Sequence, residues 1–183
     1  MPAVFKSEIN MDAILAQDND QRLLEEANSN KTLVKGLYRL EATSITGVQQ
    51  DSTDPKSRFP GRHEFRVRFN ATGIDNPKAK GGLFITITPE RSVIQPKDGE
   101  PFLDSASRLW GQICKAFDTG KQPVGATIKA ISEFPLEAEV TETYKLPDGT
   151  YIEPADSAQR TELADLGGRG YNNVKWIGAV KKR

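Results

Sequence analysis

Between His63 and Asn70 the chain alternates residue by residue. His63, Phe65, Val67 and Phe69 take one side of an extended backbone, and Glu64, Arg66, Arg68 and Asn70 take the other. Wound into a helix, a two-residue period would scatter its apolar groups around the axis, so this stretch must be a strand with one buried face. Further segments carry the same signature. In Val34–Ala42 the even positions are apolar or small and the odd ones mostly charged, with Gly36 suggesting a bulge or a close backbone approach. Leu83 to Thr88 is β-rich and stopped by Pro89. Leu136, Ala138 and Val140 alternate with Glu137, Glu139 and Thr141, a strand whose acids read as a solvated face. Pro147-Asp148-Gly149, between Tyr144 and Tyr151, marks a hairpin turn, and Tyr171 to Val180 reads as a closing strand.

The period changes once. Phe102, Ala106, Leu109, Ile113 and Phe117 recur at three- and four-residue spacings, an amphipathic helix with Asp104 and Ser105 at its start and Gly120 to close it. Residues 124–134 suit either a strand or a short helix, and Ser157 to Leu166 suits a short helix ended by Gly167-Gly168. Polar stretches rich in breakers, Gln49 to Gly61 and Gly73 to Gly82, are loops. The expected class is mainly β: an OB-like, five- to six-stranded Greek-key barrel with one helix between strands three and four and long loops. A β-sandwich carrying one helix is the competing architecture. Residues 1–31 stand apart as an arm, partly disordered or packed on a partner, before a single domain over 32–183.

Composition narrows the chemistry. Of 183 residues, 25 are basic and 25 acidic, so no net field draws the chain to a polyanion or a membrane surface, and no apolar run is long enough to span a bilayer. One cysteine, Cys114, excludes an internal disulfide, and one histidine, His63, leaves no His/Cys zinc cluster. On the apolar side of its strand, His63 reads as a satisfied, half-buried ring rather than a catalytic one. Gly167-Gly168-Arg169-Gly170 lacks the Lys-Ser/Thr of a phosphate loop. No catalytic residue, metal or cofactor is expected, and the chain does not read as an enzyme.

The zero net charge hides segregation. Residues 55–91 hold eight cations against Glu64, Asp75 and Glu90, whereas 133–166 hold nine acids against Lys145 and Arg160. Single-strand binders need cations spaced along the phosphates and rings on which bases stack. Arg66 and Arg68 share one strand face, flanked by loops with Lys56, Arg58, Phe59, Arg62, Lys78 and Lys80. Tyr144 and Tyr151 flank the hairpin turn, and Tyr171, Lys175 and Trp176 lie on the closing strand. These thirteen residues are the candidate nucleic-acid contacts. The competing expectation is that acidic and basic segments neutralise one another and the rings fill the core.

Gly36-Leu37-Tyr38 opens a strand, Glu64-Phe65-Arg66-Val67-Arg68-Phe69 forms another, and Leu109-Trp110-Gly111-Gln112-Ile113-Cys114-Lys115-Ala116-Phe117 forms the helix. Leu136-Glu137-Ala138-Glu139-Val140 and the closing Gly170-Tyr171-Asn172-Asn173-Val174-Lys175 complete the order. This succession, over roughly residues 33–180, resembles the bacteriophage single-stranded DNA-binding proteins with an OB fold. The resemblance implies non-sequence-specific binding and protection of single-stranded DNA in phage replication or recombination. It also implies replication or recombination proteins as partners, a homo-oligomer as a further option, no membrane association, and a location in the cytoplasm of the host cell. Two departures stand out: the chain ends Lys181-Lys182-Arg183 where many such proteins carry an acidic tail, and residues 1–31 have no counterpart. The alternative reading is a viral structural or assembly β-domain that oligomerises without nucleic acid, and a small metal-dependent nuclease is a distant third.

Overall fold

The structure, a computed structural model, describes residues 32–182. The arm expected at 1–31 lies outside the described residues. Strand β1 (Gly36–Gln49) pairs antiparallel with β2 (His63–Gly73), and β2 with β3 (Lys80–Ile87). A two-residue ribbon pair, β4 (Val93–Ile94) and β5 (Phe102–Leu103), precedes helices α1 (Ser105–Phe117) and α2 (Val124–Glu133). The chain then returns as β6 (Leu136–Lys145), turns into the short β7 (Tyr151–Ile152), forms helix α3 (Ser157–Asp165), and closes with β8 (Arg169–Ala179).

The two-residue period orients every long strand. Tyr38 and Leu40 of β1, Val67 and Phe69 of β2, Leu83, Ile85 and Ile87 of β3, and Leu136, Ala138 and Val140 of β6 point into one core. Ile177 of β8, Leu109 and Ile113 of α1 and Ile131 of α2 join the same core. Burying each such aliphatic or aromatic group contributes about 1.5–3 kcal/mol, which sets the register of the sheet against slippage. The bend in β1 falls between Ala42 and Ser44, where the pairing with β2 shifts, and not at Gly36.

The sheet is antiparallel and open, where a Greek-key barrel was expected. β1 lies between β2 and β6, and β6 pairs with β1 through Leu136–Val140 and with β8 along its whole length. β7 adds only Tyr144↔Ile152 and Lys145↔Tyr151. Among the described residues no ladder joins β3 to β8. Helix α1 sits in that seam instead. The Arg108 guanidinium donates to the carbonyls of Lys175 (2.6 Å) and Val174 (3.0 Å), and the Ile177 N–H donates to Gln112 Oε1 (3.1 Å). On the other side the Thr88 N–H donates to the Ala106 carbonyl. Three backbone groups of β8 are thus satisfied by side chains of α1.

Several expectations needed correction. One helix was expected between strands three and four, and there are two, because 124–133 coils rather than extends. Phe102 is exposed in β5, since the helix begins after Asp104, whose carboxylate accepts the Ala106 N–H. Asp118, with φ 54°, closes α1 in place of Gly120, its N–H reaching the Cys114 and Lys115 carbonyls. His63 is exposed and its N–H and Nδ1 meet Glu90 Oε1 at 3.1 and 3.0 Å. The strand's buried polar group is Glu64 instead. The acids of β6 are not a solvated face: Glu137 and Glu142 are buried because β6 is interior to the sheet. Arg160 of α3 covers Glu142 at 2.7 Å, and the Lys181 N–H donates to Glu137.

Candidate nucleic-acid interface

The outer face of β2 and β3 is built by the same alternation that fills the core. With Val67 and Phe69 inside, Arg66, Arg68 and Asn70 point outward, and with Leu83, Ile85 and Ile87 inside, Phe84 and Thr86 do so. The antiparallel register sets Arg68 opposite Phe84, Arg66 opposite Thr86, and Lys80 opposite Thr72. On the other flank, Ser44 and Thr46 of β1 stand opposite Arg68 and Arg66. The face is therefore a strip of small hydroxyls, two guanidiniums and a ring that is 61% exposed. Neither Arg66 nor Arg68 has an ion-pair partner among the described residues. The acidic stretch does not neutralise them: its buried carboxylate Glu142 is held by Arg160, from within the same stretch.

Loops extend the strip at both ends. Lys78, in the β2–β3 turn, and Lys80, at the start of β3, are exposed at one end. The loop 50–62 carries exposed Lys56 and Arg58 at the other. That loop is held from below by Arg62, which is only 7% exposed and therefore no phosphate contact. Its guanidinium reaches Glu64 Oε1 through Nε (3.0 Å) and Asp104 Oδ2 through Nη1 (2.8 Å), and it lies 4.2 Å from the centre of the Phe59 ring. Phe59 is half-buried, one face already occupied by that cation. Gln50 ties loop to sheet, its amide donating to Glu64 and accepting from Ser57.

A second group lies at the far corner of the sheet. Across β7, β6 and β8, Tyr151 stands beside Lys145, Lys145 opposite Arg169, and Thr143 opposite Tyr171. Tyr151 is 62% exposed with the Lys145 ammonium 5.5 Å over its ring, and Tyr171 is 45% exposed. Tyr144, by contrast, is buried and points inward. Burial, then the nearby Glu142 carboxylate, pushes its phenol above the ordinary range. Tyr38 is raised for the same reasons in the same order. Lys175 is exposed at the point where β8 slips register against β6, and Trp176 is half-buried, packed on Gly178 with the Lys181 ammonium 5.6 Å from its ring. Trp176 faces Glu139 across the pair, a poor neighbour for a phosphate.

The β2–β3 strip also borders the seam. A cleft of about 540 Å³ between β3, α1 and β8 is lined by Arg66, Phe84, Thr86, Arg108, Asn172 and Asn173 among others. Tyr171 is two residues from Asn173 on the same face of β8. Of the thirteen candidate contacts, Arg62 and Tyr144 are thus turned inward, Phe59 and Trp176 are partly covered, and the rest are exposed. Phe84, Lys145, Arg169 and Asn173 were not among them. Phe84 was legible, since Leu83, Ile85 and Ile87 leave it on the outer face; Asn173 needed the seam.

Among the described residues no group of three His, Cys, Asp or Glu is arranged to hold a metal, and no helix is long and apolar enough to cross a membrane. No protein-family model matches the chain, and neither a curated protein nor a solved structure matches it.

Proposed function

We propose that this chain binds single-stranded DNA without regard to sequence, protecting it during phage replication or recombination, on the outer face of β2 and β3. The observation that carries the reading is the Arg68–Phe84 pair with Arg66 beside it: two cations with no ion-pair partner among the described residues, beside a largely exposed ring. Extended backbone spaces Arg66 and Arg68 about 6.8 Å apart on one side of the strand, suited to successive contacts on an extended polyanion. The strand order β3-β2-β1-β6-β8 supports an OB-type assignment, with the seam between β3 and β8 left open and plugged by α1. In that fold the second and third strands and the loops beyond them form the oligonucleotide face, the region where the free cations lie here. Fluorescence titration with a poly-dT oligonucleotide at several salt concentrations tests the reading. Affinity that falls steeply with salt is expected, and no binding at low salt, or binding indifferent to salt, rejects it.

A second reading has its own observation. Val93, Phe102 and Leu103 leave the β4–β5 ribbon apolar and exposed, which favours a protein contact and an assembly β-domain. Light scattering that shows a stable higher oligomer, together with a null DNA titration, would select that reading.

A further inference from the structure

We propose that the cleft between β3 and β8 is a nucleotide subsite that takes one unstacked base of the bound strand and hydrogen-bonds its edge through Asn173. The inference rests on the single-strand reading above and adds to it a several-fold base preference, small beside the sequence-independent phosphate contacts. At about 540 Å³ the cleft falls within the roughly 300–1,000 Å³ span of small-molecule sites. Most of its polar lining is already committed. Glu64 and Asp104 are held by Arg62, Arg108 by the Val174 and Lys175 carbonyls, and the Asn172 amide by the Leu33 and Thr141 carbonyls and the Leu33 N–H.

What remains is a specific set. Arg66 has no partner among the described residues, and Phe84 offers an open ring face. Among the described residues the Asn173 side chain makes one long bond, from Nδ2 to Thr143 Oγ1 at 3.4 Å, and its Oδ1 makes none. A ring wall, an amide and a guanidinium at one cleft match the three parts of a nucleotide: base face, base edge and phosphate. The amide is exposed and sits on a paired strand, so its loss leaves no buried group unsatisfied. A purely electrostatic strip tells bases apart only by stacking and flexibility, whereas an amide at the base edge adds hydrogen-bond discrimination.

The test uses the full chain with oligo-dT, oligo-dC and oligo-dA of equal length. Wild type is expected to separate the three by several-fold. Asn173→Ala should bring them within about twofold of one another while leaving the slope of affinity against salt unchanged, because no phosphate contact is removed. Ultraviolet cross-linking of a 5-bromouracil oligonucleotide, followed by tryptic mass mapping, should label the peptide Gly81–Arg91 that carries Phe84. Salt-sensitive binding with equal base ratios in wild type and Asn173→Ala overturns the subsite and leaves the parent reading standing. Cross-links confined to loop 50–62 or to Tyr151 overturn it as well. If no oligonucleotide binds at low salt, both fall.

Discussion

Removing both guanidiniums with Arg66→Ala and Arg68→Ala isolates the electrostatic part of the proposed contact. Both side chains are exposed and unpaired among the described residues, so folding stability should move by no more than about 0.5 kcal/mol. Each phosphate contact on a single strand contributes about 0.7 to the slope of log affinity against log salt, so the double variant should flatten it by about 1.4. Taking the contacts as counterion release alone, affinity should drop ~25-fold at about 0.1 M salt and only ~4-fold at about 0.4 M. The loss must shrink as salt rises, because the lost term is the release of condensed ions into a bath that already holds them. Titration of wild type and variant against the same oligo-dT at four or five salt concentrations, with thermal melts as a folding control, measures both quantities. A loss that is constant across salt, or no loss at all, refutes the assignment of these two arginines to phosphates.

Other outcomes follow from the same structure. Phe84→Ala should weaken binding by about 1–3 kcal/mol with little change in salt slope, since it removes stacking and no charge; an unchanged affinity would exclude the ring from the interface. Arg62→Met leaves the Glu64 and Asp104 carboxylates buried without their cation, and denaturant unfolding should show a loss of about 3–5 kcal/mol. An unaltered midpoint would mean those carboxylates reach water. Gly73→Ala places a methyl group against the Asn76 backbone carbonyl and the Ala79 side chain, and should destabilise the β2–β3 turn by about 1–3 kcal/mol in thermal melts. Because burial raises the Tyr38 and Tyr144 phenols above their ordinary value of 10.0, the folded state keeps those protons after the unfolded chain has released them. Stability should therefore hold below about pH 10 and decline as pH rises past it, and Tyr144→Phe should lessen the decline. An equal decline in that variant would place the cause elsewhere.

Much of the fold could be read from residue periods. The strands at 63–70, 83–88, 136–144 and 171–180 and the helix through Leu109 and Ile113 were legible because side-chain direction follows from local backbone geometry, two residues per repeat in a strand and 3.6 in a helix. The hairpin turn at Pro147-Asp148-Gly149 was legible because Gly149 adopts φ +90°, which glycine reaches without strain. Residues 124–133 were not, since a ten-residue segment with few polar markers satisfies either period.

Burial was another matter, because it depends on what covers a face rather than on which face it is. Glu137 and Glu142 alternate like solvated acids, yet they lie on a strand flanked on both sides, with Arg160 and the backbone beyond Ala179 closing over them. Arg62 reads like its neighbours Arg58 and Arg66 until Asp104, forty-two residues away, reaches its guanidinium. By itself the sequence determined that Arg66, Arg68 and Phe84 would face away from the core. Tertiary pairing alone decided that the three would stand side by side, and that Asn173 would join Arg66 and Phe84 across the seam, since register and strand order depend on contacts between distant segments and leave no periodic trace in either one.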